Sequence, residues 1–208
     1  MTIDPYLAQP HPGGPMSVEE YLQLDKNTPD VKYEYLDGVA LPMLGGSIEH
    51  ARIARNVANA IEEQFGSGPC TVTPSDVQVF IGTKASGKEY YVYPDVTVSC
   101  DVADRRRGTT LIRSPRIVVE VLSPSTKRLD RGKKLEAYKA CPTIQEIVLI
   151  DQFSQAVEVC RRDEEDDSTW HHASYGPDSI VELISVDVSI SMGDIYKRIN
   201  FDEPLLEE

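Results

Sequence analysis

Residues 116–122 read Arg-Ile-Val-Val-Glu-Val-Leu, a run of branched aliphatic residues with one carboxylate in its middle. This pattern suits a strand buried on both faces, with Ile117, Val119 and Val121 on one side and Val118, Glu120 and Leu122 on the other. A carboxylate in such a strand costs free energy unless a cation or a set of donors compensates its charge, and its same-face neighbours offer nothing to bond. Any fold open to this chain must therefore cover both faces of a sheet and bring a partner to Glu120. The segments around it supply the covering layers, in the order helix, hairpin, helix, several strands, helix, strand and further strands. The predicted class is α/β (α+β), a mixed β-sheet core flanked by helices with additional antiparallel strands.

The pattern divides the 208 residues into a tail over 1–16, one domain over 17–201 and an acidic tail over 202–208. The first fifteen residues hold four prolines and two glycines and little to bury, which predicts a flexible segment. Ser17 with Glu20 forms a capping box that opens a short helix to about Leu24. Residues 31–43 read as two strands around the turn dipeptide Asp37-Gly38. Ile53, Val57, Ala60 and Ile61 recur at helical spacing over 47–65, with Gly66 and Gly68 as the stop. Residues 72–81 and 89–100 read as the arms of one antiparallel hairpin, and Asp104 with the arginines after it as a charged loop. A helix is expected over 130–140, a buried strand over 144–150, a β meander over 156–160, 169–174 and 180–184, and a small closing helix over 193–199.

Charge narrows the possible partners. The net charge is −13, which argues against a protein that coats nucleic acid. Residues 105–140, however, carry eleven basic against three acidic side chains, a local +8. A molecule so polarised could hold a polyanion at one face and repel it elsewhere. No apolar stretch approaches the length of a membrane span and no signal peptide is evident, so a cytoplasmic protein without membrane contact is expected. Cys70, Cys100, Cys141 and Cys160 form no CxxC pair and read as buried small hydrophobes, with neither a zinc site nor a disulfide framework signalled.

Asp95 repeats the setting of Glu120, following Pro94 and preceding Val96, Thr97 and Val98. Proline in a strand marks an edge or a distortion, a break at which a side chain can be aimed into a cleft. Two such acids on neighbouring strands could chelate a hard cation such as Mg²⁺ through oxygen ligands. The plainer alternative pairs Glu120 with an arginine and leaves Asp95 ending a turn. Asp130, Lys134 and Tyr138 stand at i, i+4 and i+8 and share a helix face, with Lys133 turned elsewhere. That face could bring the Lys134 ammonium to the acids, or Asp130 and Lys134 could form an ordinary ion pair on a solvated helix.

Taken together, these residues resemble a known family. Tyr33-Glu34-Tyr35-Leu36-Asp37-Gly38, then His50 opening a helix, then Tyr93-Pro94-Asp95-Val96 are its first landmarks. Val118-Val119-Glu120-Val121-Leu122-Ser123-Pro124-Ser125-Thr126 and then Asp130, Lys134 and Tyr138 complete them. The set is similar to the Uma-type restriction endonuclease family of the PD-(D/E)XK nuclease superfamily, over about residues 17–201.

The resemblance implies a restriction-endonuclease-like fold and a Mg²⁺-dependent DNA endonuclease, with Mn²⁺ able to substitute. It implies Asp95 and Glu120 as metal ligands, with Glu34 as a further acidic residue of the site that binds metal or holds a water. Leu122 stands where the superfamily motif has lysine, so the lysine role passes to Lys134 on the following helix. His50 is a candidate for touching phosphate or Glu34. In the basic segment Arg105, Arg106, Arg107 and Arg131 are candidates for DNA phosphate contacts. DNA as partner and a homodimer, two sites for two strands, follow by analogy with the superfamily.

Two alternatives stand beside this. One is a catalytically silent protein of the same fold that binds nucleic acid or a protein partner, a reading that Leu122 keeps open. The other is a metal-dependent hydrolase of a different phosphate ester. No P-loop, GxGxxG or GxSxG is present, so neither a nucleotide cofactor nor a serine nucleophile is indicated. His171 and His172 are adjacent on a predicted strand and point to opposite faces, which favours the surface over a metal site.

Overall fold

The computed structural model describes residues 15–43, 45–82, 87–123 and 127–202. Most of the two tails, and 124–126 of the family motif, lie outside the described residues.

Helix α1 (Val18–Asn27) opens on the expected capping box, with Ser17 and Glu20 satisfying each other's backbone amides. Strands β1 (Tyr33–Leu36) and β2 (Val39–Pro42) close tightly around Asp37 and Gly38, both at positive φ, and α2 (Ile48–Phe65) follows with Ser47 as its cap. Residues 72–81 do not form one strand. They split into β3 (Thr71–Pro74) and β4 (Gln78–Gly82), and the opposite arm splits into β5 (Glu89–Val92) and β6 (Val96–Ser99). The hairpin pairing holds, β4 with β5 and β3 with β6, but the two halves belong to different sheets. Pro74 and Pro94 stand at the breaks, where a residue without an N–H cannot continue the ladder. Asp95 therefore sits at the point where the chain passes from one sheet to the other.

A six-stranded sheet, β11-β10-β9-β8-β6-β3, forms the centre, built from β8 (Pro115–Leu122), β9 (Glu146–Asp151), β10 (Val157–Arg162) and β11 (Trp170–Tyr175) beside β6 and β3. Its β8–β9 pair is parallel and its other pairs are antiparallel. A five-stranded sheet, β2-β1-β5-β4-β7, adds the short strand β7 (Leu111–Ile112), unforeseen in the sequence. The expected meander runs only through β11. Strand β12 (Ile180–Leu183) pairs instead with β13 (Val188–Ser191) in a separate hairpin, and the closing helix α5 shrinks to Met192–Ile195.

Strand β8 is buried on both sides, as its composition requires. Ile117, Val119 and Val121 meet Ile53, Val57 and Ile61 of α2, while Val118 and Leu122 face Ala137, Tyr138 and the apolar side of the five-stranded sheet. The connection after β8 starts earlier than expected, with α3 (Lys127–Leu129), a wide π-type turn over Asp130–Lys134 and then α4 (Leu135–Ala140). Gly132, at φ −107° and ψ −107°, kinks it.

The cysteine expectation needs one correction. The register that sets Thr71 opposite Ser99 also brings Cys70 opposite Cys100, and the two form a disulfide. Cys141 and Cys160 are free and buried, as expected. Among the described residues no helix is long and apolar enough to cross a membrane.

Candidate active site

The antiparallel register that places Val96 beside Val119 brings Asp95 and Glu120 together at the rim of the central sheet. Asp95 Oδ2 accepts the backbone N–H of Val121 at 2.7 Å and lies 3.2 Å from His50 Nε2. Glu120 is only 4% exposed. Its Oε1 accepts from Tyr138 Oη at 2.5 Å and lies 2.8 Å from Lys134 Nζ.

Lys134 is the hub. Its ammonium also lies 3.0 Å from Glu34 Oε1 and 3.3 Å from Asp130 Oδ1, so three carboxylates from three separate parts of the fold converge on one cation. Glu34 Oε1 further accepts the backbone N–H of Tyr93 at 3.0 Å, which ties β1 to the loop carrying Asp95. The expected i, i+4, i+8 face is present despite the kink, because Asp130, Lys134 and Tyr138 are all buried. Lys133 points away to Asp37. The arginine alternative for Glu120 fails: its partner is this lysine.

Electrostatics follow from the burial. Desolvation pushes the Glu120 carboxyl well above its ordinary value, only partly opposed by Lys134 and reinforced by Asp130, Asp95 and Glu34. Desolvation acts against the Lys134 charge too, but Glu120 and Glu34 outweigh it and hold its pKa well above normal. Tyr138 is raised by burial and by Glu120. For His50 burial opposes the charged form, and the hydrogen bond and charge of Asp95 override it, so its pKa lies above the usual histidine value. A Cβ on Gly46 would stand 2.7 Å from His50 Nδ1, so the imidazole is clamped between that glycine and Asp95.

Glu34, Asp95, Glu120, Asp130, Lys134 and His50 all border one cavity of about 70 Å³. Among the described residues no three His, Cys, Asp or Glu side chains form a ready-made metal cluster. The donor set nonetheless fits Mg²⁺. That ion takes oxygen ligands, commonly one or two carboxylates, and completes its octahedron with water and substrate phosphate. Asp95 and Glu120 supply two such carboxylates, and four carboxylates share the cavity with one lysine and one histidine.

The basic segment does not gather around this cavity. Arg105, Arg106 and Arg107 are exposed in the loop leaving β6 at the end remote from Asp95, beyond four strand residues or about 13 Å of backbone. Arg131 is engaged by both oxygens of Glu158, and Lys127 pairs with Asp151. The local +8 is thus largely consumed by internal ion pairs or turned to another end of the molecule. His171 pairs with Asp163, and His172 contacts Cys160 and Lys139, both at the surface as expected.

Several contributors carried little sequence signal. The amides of Val121 and Tyr93 are backbone groups, and the need for Gly46 depends on the His50 ring. Tyr138 lay on the identified face, with its role as donor to Glu120 undefined.

Comparison with known proteins agrees with this architecture. A relative named "Uncharacterized protein slr1290", from Synechocystis sp. (strain PCC 6803), is 35% identical over 186 residues, covering 89% of this chain and 94% of its own. A second from the same organism, "Uncharacterized protein sll1609", is 30% identical over 144 residues, 69% of this chain and 78% of its own. The crystal structure of "a putative nuclease belonging to DUF820" from Anabaena variabilis has the same fold, with a TM-score of 0.68 at 20% identity, covering 88% of this chain and 98% of the other. The Uma2 family, described as "Putative restriction endonuclease", matches residues 18–193, and the chain belongs to that family.

Proposed function

We propose that the protein is a metal-dependent nuclease that hydrolyses phosphodiester bonds of DNA. The observation that carries this is the excess of carboxylate over cation in the cavity: Glu34, Asp95, Glu120 and Asp130 against Lys134 and His50. A divalent cation balances such a site, where an unpaired buried carboxylate would be costly.

Asp95 and Glu120 would hold Mg²⁺, or Mn²⁺ in its place. The bound ion would lower the pKa of a water and offset negative charge on the phosphate. Glu34 acts as a positioning residue, since its Oε1 is already shared by Lys134 and the Tyr93 amide. Tyr138 and the Val121 amide fix the two ligand carboxylates, so little reorganisation is left for the reaction. Lys134, on the cavity wall beside Glu120, would be the donor to the attacking water or the phosphate once the ion shares the charge of that carboxylate. Water adds across a P–O bond, leaving a phosphate monoester and a hydroxyl.

One observation favours the silent alternative: Lys134 is surrounded by three carboxylates. The test is cleavage of plasmid and single-stranded DNA with Mg²⁺ or Mn²⁺ by the wild type, Asp95→Ala, Glu120→Ala and Lys134→Ala, each checked for folding. Metal-dependent cutting lost in all three supports the nuclease with its relocated lysine. Cutting that survives only in Lys134→Ala reassigns the lysine. No cutting, together with no metal binding by calorimetry, establishes the silent fold.

A further inference from the structure

A second and much larger cleft, about 830 Å³, opens onto the same site and shares His50, Asp95, Gly45, Gly46 and Met43 with the small cavity. One wall is a face of α2 on which Ala51, Ala54 and Ala58 leave room between the helix and the residues opposite, among them Val31, Val72 and Pro74. We infer that this cleft receives an unpaired DNA strand, and that the enzyme acts on single-stranded segments or frayed ends rather than on intact duplex. The inference rests on the nuclease reading above and specifies its substrate.

Three observations carry it. First, the carboxylates are recessed, Glu120 at 4% exposure and the Asp95 side chain at 13%. A phosphate on the rigid surface of a duplex meets the rim before it meets them, whereas an unpaired strand can follow the cleft inward. Second, the side chains set between the charged ones, Ala51, Ala54, Ala58, Val31, Val72 and Pro74, are apolar and mostly small. They suit exposed faces of unpaired bases, which a duplex keeps stacked inside. Third, the charge matches one backbone and not two. Arg55 is exposed in the cleft and makes no ion pair or hydrogen bond among the described residues. It stands five residues along α2 from His50, about 7.5 Å of helix axis, in position for a phosphate next to the one at the carboxylates. The lysine of the cleft, Lys32, is tied to Asp76 and to the Ser75 carbonyl. Asp30 and Glu62 on the lining would repel a second strand.

The experiment measures binding of a fluorescein-labelled oligodeoxythymidine and of a blunt duplex of equal length by anisotropy, with Ca²⁺ in place of Mg²⁺ to prevent turnover. Cleavage of both with Mg²⁺ is followed in parallel. Ala51→Phe narrows the cleft at an exposed position and Arg55→Ala removes the cation. Neither touches the core, and thermal unfolding verifies the fold.

The expected result is at least roughly tenfold tighter binding of the single strand, the form whose bases are free to enter the cleft. Both variants should weaken it while leaving Mg²⁺ binding by calorimetry unchanged. Arg55→Ala should also lower the slope of log affinity against log salt by about 0.7, the value for one phosphate contact on a single strand. Duplex bound and cut as well as single strand, with both variants silent, overturns the cleft assignment and leaves the nuclease standing. Cleft-dependent binding of the single strand without cleavage or Mg²⁺ binding preserves the assignment and overturns the nuclease.

Discussion

Tyr138 Oη donates to Glu120 Oε1 at 2.5 Å, the same oxygen that Lys134 approaches to 2.8 Å. One carboxylate oxygen thus takes both internal donors, and on the proposed reading the metal ion would be held by the other. Tyr138→Phe keeps the ring packing and deletes one donor. The expected cost is about 1–3 kcal/mol from urea unfolding, with weaker Mg²⁺ binding by calorimetry. An unchanged Mg²⁺ affinity would confine Tyr138 to a structural role.

Lys134→Met removes the cation shared by Glu34, Glu120 and Asp130 and leaves three buried carboxylates facing one another. The fold should lose about 3–5 kcal/mol, as when one partner of a buried pair is removed. Added Mg²⁺ should raise the variant's thermal midpoint more than that of the wild type, since the ion replaces part of the missing charge. Equal shifts in differential scanning calorimetry would count against a cation site in the cavity.

Gly46→Ala places a methyl group against His50 Nδ1 and drives the ring from Asp95. Without that partner the raised pKa of His50 should fall toward the ordinary value near 6.5. An NMR titration of the histidine Cε1 protons reads this directly, with His50→Gln providing the assignment.

Glu146 is fully buried and accepts from the amides of Ile184 and Ser185, the Ser185 hydroxyl and Arg161 Nε. It fastens the turn after β12 to the central sheet, far from any chemistry. Glu146→Ala leaves those donors unsatisfied and should cost about 3–5 kcal/mol. Hydrogen exchange should show the largest loss of protection in β12 and β13.

Asp37 is held below the usual carboxylate range, first by its hydrogen bond from Lys88 and then by Lys133, with burial opposing. A lowered folded pKa stabilises above the unfolded value and loses that contribution as pH falls through the folded one. The urea midpoint of the wild type should therefore exceed that of the double variant Lys88→Ala, Lys133→Ala at neutral pH. The gap should close below about pH 4, where Asp37 becomes protonated in the unfolded and then the folded chain.

The sequence by itself determined the elements with a strong local period or cap. The capping box at Ser17, the Asp37-Gly38 turn, the apolar stripe of α2 and the doubly buried β8 are all legible because their signals lie within one or two turns or strand repeats. It also determined which side chains could carry chemistry, because a carboxylate in an aliphatic strand must have a partner wherever the chain folds. Asp95, Glu120 and Lys134, chosen on that ground and on the family pattern, do meet at one cavity.

Tertiary structure alone decided the rest. Whether residues 72–81 form one strand or two depends on which sheet covers each half, and local propensity is blind to that. The Cys70–Cys100 pairing follows from the register between β3 and β6, fixed by contacts nearly thirty residues apart. Counting charges along residues 105–140 predicted a basic face. Folding paired Lys127, Arg131 and Lys133 with acids drawn from Asp151, Glu158 and Asp37, and carried Arg105, Arg106 and Arg107 to the far end of β6. Charge adds along a sequence, whereas binding depends on which charges remain unpaired and on the surface they share.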